Sequence, residues 1–286
     1  MGKKVSLVKQ GMNEMDRMAA FGQSKHADKL ANGGKPLPGK IYSYNSMKNY
    51  KQATYQYLKW AQREHGCRQL PDARQYTGEY LRQRMDDGKS AWTVRLDAAA
   101  LAKLYGVETG ALGADLPIRR RADVTQHRSG ASEGHFSAEK HRDLVDLCLA
   151  TGLRRCEIAR LQPSDVQRLP DGRVVVLVRQ GKGGKARLVS ALNDRPAQIA
   201  AAAAAAGQAR VIESIPKYAP IHEYRAQYAN ELYQSIARDI GSIPDRERYY
   251  CRRDRVGTTY DKQAMLRVSL ELGHNRLDVV TAYLYK

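Results

Sequence analysis

Four short blocks in the second half of the chain carry side chains suited to chemistry at phosphorus. They are Thr151-Gly-Leu-Arg154-Arg-Cys-Glu157, Gly181-Lys182-Gly-Gly-Lys185, His222-Glu-Tyr-Arg225 and Leu272-Gly-His274, the last followed nine residues on by Tyr283. Two arginines, a lysine and two histidines suit a dianionic transition state, and the tyrosine adds a phenol that can attack. Attack by an alcohol on a phosphodiester needs little covalent help but much charge stabilisation, because negative charge spreads over the equatorial oxygens. A planar guanidinium offers two parallel donors to two phosphate oxygens, so Arg154 and Arg225 are the candidate clamp. A nucleophile whose phosphate ester stores the bond energy lets a strand be rejoined without ATP or metal, and a tyrosine fits that need. A free phenol has a pKa of about 10, so neighbouring cations or a base must assist it. Tyr283 and Tyr285 compete for this role on the residues alone.

The elements that must position these groups are mostly helical. Met47, Tyr50, Thr54, Tyr57 and Ala61 recur at helical spacing from about Ser46, a second helix is expected over Ala73–Met85, and a third over Ala91–Tyr105 with Ser90 as N-cap and Gly106 as stop. Residues 1–40 begin with a basic, Met-rich stretch of possible helix (Met12, Met15, Met18) and end in a Gly/Pro segment that cannot continue a helix and reads as a tether, so the whole is expected to be an N-terminal arm. Residues 41–113 form a small helical domain, 114–135 a basic linker without apolar periodicity, and 136–286 a second domain. The second domain opens on a helix capped by Ser137 and closed by Gly152. Arg173–Arg179 is a clear strand, and the Gly-Lys-Gly-Gly-Lys turn leads to a second strand at Ala186–Ala191, which places Lys182 at a hairpin tip. Further helices are expected over Ala197–Ala206, Ile221–Ile240, Asp261–Leu272 and Asn275–Tyr285. Aromatic and β-branched residues around Gly257 suggest an inserted hairpin near 246–260 that carries Arg252, Arg253 and Arg255.

Charge narrows the partner. The chain has 286 residues, with 48 Lys and Arg against 30 Asp and Glu, a formal net charge of +18. This balance suggests a polyanion. No apolar run of about 18 residues exists, so a membrane partner is not expected. Cys67, Cys148, Cys156 and Cys251 form no C-x-x-C pair, and Cys148 and Cys156 fall in apolar helical text where a thiol behaves as a small hydrophobe. Neither disulfides nor a metal site are expected. The Gly-Lys-Gly-Gly-Lys block is not a nucleotide P-loop, because strand text rather than a helix follows it. Singly, each block is ordinary: an Arg-x-x-Glu on a helix is commonly a surface pair, and a C-terminal tyrosine commonly packs. Their joint order is the informative feature.

In that order and in local wording (Thr-Gly-Leu-Arg, Gly-Lys-Gly-x-Lys-x-Arg-Leu-Val, Leu-Gly-His) the chain resembles the tyrosine recombinases, the family of phage and transposon integrases and the Xer and Cre recombinases. The resemblance is strongest from about Ser137 to Tyr285 and looser over Tyr42–Gly110. It implies a mainly α fold with a small β-hairpin sheet in an α+β catalytic domain, joined to a helical core-binding domain as a two-domain DNA clamp. It implies a site-specific recombinase or integrase that cuts and rejoins strands through a 3′-phosphotyrosine intermediate, without cofactor. The family spacing selects Tyr283 as nucleophile and assigns Lys182 as the acid that protonates the departing 5′ oxygen, with Lys185 as fallback. It casts His222 and His274 as phosphate-orienting and proton-handling groups and Glu157 as a supporting acid. Expected DNA contacts are Lys48, Lys51, Arg119, Arg120, Arg121, Arg128, Lys185, Arg187, Arg252 and Arg253; Arg82, Arg84, Lys89 and Arg95 are weaker candidates. The implied partners are double-stranded DNA, further copies of the chain (a dimer on a site, a tetramer in synapse) and accessory DNA-bending proteins, in a nucleoid-associated cytoplasmic setting of bacterial, phage or mobile-element origin. The competing functions are type IB topoisomerase-like nicking and closing, a non-catalytic DNA-binding regulator derived from an integrase, and metal-dependent transposition.

Overall fold

A computed structural model describes residues 5–35, 37, 39–120, 136–181, 184–252 and 255–284. Lys182, Arg121, Arg128, Arg253 and Tyr285 lie outside the described residues. The chain divides into two compact units, residues 1–124 and 125–286. Among the described residues no helix is long and apolar enough to cross a membrane.

The first unit is helical: α1 (Leu7–Arg17), α2 (Lys25–Ala31), α3 (Tyr44–His65), α4 (Leu70–Arg74), α5 (Thr77–Asp86) and α6 (Ala91–Tyr105). Its core joins Tyr57, Leu58 and Ala61 of α3 to Val94, Ala98 and Leu101 of α6. The side chain of Ser90 caps α6 by accepting from the Thr93 amide, as its position predicts. The helix expected over Ala73–Met85 is two helices, since the chain turns at Gln75–Tyr76. Within the expected arm over 1–40, the possible helix around Met12, Met15 and Met18 is present as α1, and it packs into the first unit's core instead of standing free. Leu7 and Met15 of α1 are fully buried in this core, and Gly11 sits so close to Leu58 that a Cβ there would meet its Cδ1 at 2.3 Å. Ile41 then exchanges backbone hydrogen bonds with Met18 and Ala20. Leu7, Gly11, Met15 and Met18 share one helical face, and such a face is stable only against other apolar surface.

The second unit runs α7 (Arg142–Thr151), α8 (Arg155–Ile158), β1 (Val166–Arg168), β2 (Val174–Val178), β3 (Arg187–Ser190), α9 (Arg195–Ala205), α10 (Ile221–Ile236), β4 (Arg248–Tyr250), β5 (Thr259–Asp261), α11 (Lys262–Glu271) and α12 (Leu277–Val280). The expected strand pair is present as β2 and β3, with Val176 opposite Val189, and β1 adds a third antiparallel strand on the other edge of β2. β4 and β5 pair with Tyr249 opposite Tyr260, so the text around Gly257 is bounded by a hairpin. The core gathers Leu147 and Cys148 of α7, Val176 and Val189 of the sheet, Tyr228 of α10, Met265 and Val268 of α11, and Val280 and Leu284 at the C-terminal end. α10 stops short of the expected Ile240. Beyond it, the guanidinium and backbone N–H of Arg238 both bind the Asp261 carboxylate, which draws the chain towards β5. Cys148 is buried, but Cys156 is exposed on α8 rather than packed, because Glu157 and Ile158 occupy the inward face of that short helix.

Candidate active site

The C-terminal end of α11 gathers three arginines of the second unit. A helix leaves its last carbonyls without intrahelical partners, and its dipole makes that end partly negative. Here Leu272 O accepts from Arg154 Nη2 at 2.9 Å and also from Arg225 Nη2, while Glu271 O accepts from Arg187 Nε at 2.9 Å. Arg225 further donates through Nη1 to Gly152 O, at the end of α7, and so ties two helix termini together. Its side chain is 1% exposed. Burial, then the neighbouring Arg154 cation, push its pKa down from the usual guanidinium value, while the Tyr283 phenol opposes that shift. The Nε of Arg225 has no hydrogen-bond partner among the described residues. Arg154 and Arg225, far apart in sequence, thus converge on one carbonyl.

Glu157 holds the arrangement from below. Its carboxylate accepts from the Arg154 backbone N–H at 2.8 Å, from Arg154 Nη1 at 2.8 Å, and from both Nη1 and Nη2 of Arg187 at 2.9 Å. Burial would raise this carboxyl, but the hydrogen bonds and charges of Arg187 and Arg154 outweigh it and hold the pKa at about 2. Three guanidinium groups against one carboxylate leave a cationic excess, which suits an anionic ligand. The two motif glycines permit the close approach. Gly152 has φ +57°, and a Cβ on it would meet the Tyr228 ring at 2.4 Å; Gly273 has φ +66°, and a Cβ there would meet Arg187 at 3.0 Å. Both positions need the left-handed region that glycine enters freely.

His274 and Tyr283 complete the cluster. His274 Nε2 lies 3.4 Å from Arg154 Nη2 and 3.5 Å from the Tyr283 hydroxyl. The Arg225 guanidinium carbon is 5.6 Å from the centroid of the Tyr283 ring. Since Arg154 can only donate, Nε2 is read as an acceptor and the imidazole hydrogen as carried on Nδ1. The His274 backbone is fixed by Ser269, whose O accepts from the His274 amide at 2.7 Å and whose Oγ donates to the His274 carbonyl at 3.0 Å. His222 is exposed in the first turn of α10, one turn ahead of Arg225. Of the two lysines weighed from sequence, Lys185 is described: with the Asn275 amide nitrogen turned to the His274 carbonyl, its oxygen accepts from Lys185 Nζ at 3.1 Å. This sets an ammonium beside the residue that follows His274. Among the described residues no group of three or more His, Cys, Asp or Glu could hold a metal ion.

Several expected DNA contacts are placed otherwise. Arg187 is turned inward, its side chain 11% exposed and its donors taken by Glu157 and Glu271 O, so it supports the cluster instead of facing a ligand. Strand parity held the signal: Arg187 shares a face of β3 with buried Val189. In the first unit Lys51 is paired with Asp16. Arg84 is bound to buried Asp97 at 3.0 Å, and Arg82 and Arg95 donate to the carbonyls of Gly113 and Pro117. These cations close their own fold. Lys48, Arg119, Arg120, Lys185 and Arg252 remain exposed.

No protein-family model matches the chain, and no curated protein matches it. Solved structures do. A XerH site-specific recombinase bound to palindromic difH substrate in a post-cleavage complex superposes with a TM-score of 0.55 at 13% identity, over 98% of this chain and 90% of that one. XerH bound to difH substrate in a pre-cleavage complex gives 0.51 at 14% identity, over 98% and 92%. The chain has the fold of the tyrosine recombinase and integrase family.

Proposed function

We propose that the chain is a site-specific DNA strand transferase in which Tyr283 attacks a backbone phosphodiester. One observation carries the reading: the Tyr283 hydroxyl, His274 Nε2 and the Arg154 guanidinium form a chain of contacts at 3.5 and 3.4 Å, with Arg225 beside the phenol. In the attack, the phenol oxygen forms a bond to phosphorus while the bond from phosphorus to the 5′ oxygen breaks. The phenol proton passes to His274 Nε2, which is within reach as an acceptor. The Arg154 and Arg225 cations favour the phenolate and meet the charge that develops on the equatorial oxygens. Arg225 Nε has no hydrogen-bond partner among the described residues and is a donor left for the task.

The departing 5′ oxygen needs a proton. The family resemblance assigns it to Lys182, and the contact of Lys185 with Asn275 makes Lys185 the alternative that geometry supports. The phosphotyrosine ester keeps the bond energy, so a 5′ hydroxyl from a second strand can reverse the step and complete exchange without ATP. Double-stranded DNA is the partner this chemistry requires. The exposed cations Lys48, Arg119, Arg120 and Arg252 are proposed to meet its phosphates, with Arg121, Arg128 and Arg253 as further candidates from sequence. Exchange needs two sites and therefore several copies of the chain.

The decisive experiment uses nicked duplexes drawn from a random-sequence pool enriched by binding to the chain. A denaturant-resistant protein–DNA adduct is expected for the natural chain and none for Tyr283→Phe. An adduct that persists in Tyr283→Phe, or none at all on bound DNA, would overturn the reading. Exchanged products on two-site DNA, rather than relaxed plasmid alone, are expected of a recombinase, and retention of activity in EDTA is expected of a metal-free mechanism.

A further inference from the structure

The segment that carries Tyr283 has little structure of its own. α12 is four residues long, and a helix that short has no independent stability. Val280 and Leu284 anchor it in the core at 0% and 1% exposure, yet Tyr283 lies between them on a turn. A side chain from another part of the unit grips that turn. Arg255, in the loop between β4 and β5, donates through Nη1 to Thr281 O and through Nη2 to Leu284 O at 3.0 Å. These two carbonyls bracket Tyr283. The guanidinium carbon lies 6.0 Å from the centroid of the Tyr260 ring, and the Tyr260 hydroxyl donates to Leu284 O at 3.5 Å. The sequence suggests that the arginines of this hairpin meet DNA or a neighbouring copy of the chain. Arg255 instead has both Nη groups committed within its own unit.

We propose that Arg255 is a positioning residue for Tyr283, and that the hairpin between α10 and α11 latches the nucleophile-bearing turn into the site of its own chain. Arginine suits the latch because one rigid fork reaches two carbonyls, whereas lysine presents a single point charge. The inference rests on the strand-transfer reading only for its catalytic consequence; the latch itself is a property of the free protein. Misplacement of a reacting atom by about 1 Å can cost on the order of a hundredfold in rate.

The test compares the natural chain, Arg255→Ala and Arg255→Lys, each full length. Hydrogen exchange is read at the amides of Ala282, Tyr283 and Leu284, which donate to Val279 O and Val280 O in the latched state. Loss of two charged-donor hydrogen bonds is expected to speed their exchange about tenfold or more in Arg255→Ala, with Arg255→Lys in between and with α7 and α10 unchanged. Adduct formation on the same nicked duplexes is expected to slow about a hundredfold in Arg255→Ala, with unchanged affinity for that DNA and an unchanged slope against salt. Exchange at those amides equal to the natural chain would overturn the latch whatever the DNA does. Weaker DNA binding with a shallower salt slope would make Arg255 a phosphate contact and overturn the proposal. Faster exchange spread through the whole second unit would make it a general structural residue and would overturn the proposal too. If Arg255→Ala does not fold, Arg255→Lys supplies the same readouts. Absence of adduct from the natural chain would overturn the strand-transfer reading, while the exchange arm would still decide the latch.

Discussion

The two halves of the site are built in different ways. The arginine cradle is part of the fold: Arg225 is buried between two helix termini, Glu157 is buried beneath Arg154 and Arg187, and Leu272 O accepts from two guanidinium groups at once. The half that carries Tyr283 leans on that cradle, held by two buried apolar side chains and by the fork of Arg255. The contrast separates groups that bear charge from the phenol proposed to form and break a bond. A charge stabiliser works best when it does not reorganise, so it is set among structural contacts. Under the proposed chemistry the nucleophile becomes covalently bound to a strand and must move with it, which a short segment with few attachments allows.

This contrast can be broken at either half, and the expected effects fall in a clear order. Tyr283→Phe should remove adduct formation entirely while changing stability by less than about 1 kcal/mol, because only one long hydroxyl contact is lost. Parallel adduct assays and thermal unfolding check this, and an unfolding midpoint that falls with activity would show that the tyrosine belongs to the structural half. Arg225→Ala should damage both properties. It strands the Gly152 carbonyl and leaves Leu272 O with Arg154 alone, expected to cost roughly 3 kcal/mol of stability in denaturant titration, and removes a preorganised donor, expected to lower the rate by about two to three orders of magnitude. Full stability in Arg225→Ala would refute the structural role assigned to the cradle.

Smaller effects sharpen the picture. Gly152→Ala forces a side chain into the left-handed region and against the Tyr228 ring, so a loss of about 1–3 kcal/mol is expected. Its effect on the rate should track the displacement of Arg225, which binds the Gly152 carbonyl. Glu157→Gln should show itself through pH. The carboxyl sits at about 2 in the folded chain against a reference of 4.5, so its contribution is complete above the unfolded value and is lost as pH falls from 4.5 through about 2. That contribution is roughly 2 kcal/mol once solvent screening is allowed for. Unfolding free energies measured between pH 6 and pH 2 should therefore fall less steeply for Glu157→Gln than for the natural chain, and identical slopes would remove Glu157 from its place at the centre of the ion network.

Much of the site is legible in the sequence, because residue type and spacing report local geometry directly. Gly152 and Gly273 mark sharp chain reversals, and Arg154 with Glu157 lie one helical turn apart, whereas His222, one turn ahead of buried Arg225, is exposed. Arg187 is misleading because a basic residue in a basic chain looks like a phosphate contact, and only the strand pairing shows it pointing at Glu157. The helix at Leu7–Arg17 is legible from its methionine spacing, but its packing on α3 is not: charged residues along its outer face draw attention from the apolar stripe. Arg82, Arg84 and Arg95 bind acceptors 13 to 31 positions away, too far for any local pattern to reveal.

The amino-acid sequence by itself determined the chemical inventory: a phenol near the carboxyl end, two arginines and two histidines in fixed order, and an excess of positive charge. Tertiary structure decided which of those groups meet. Arg154 and Arg225 share the Leu272 carbonyl, Tyr283 reaches His274, and Arg255 ties a hairpin to the turn beside the phenol. The physical reason is that unpaired carbonyls at helix ends must find donors, and those donors arrive from residues 47 to 118 positions away, a distance over which sequence periodicity carries no information.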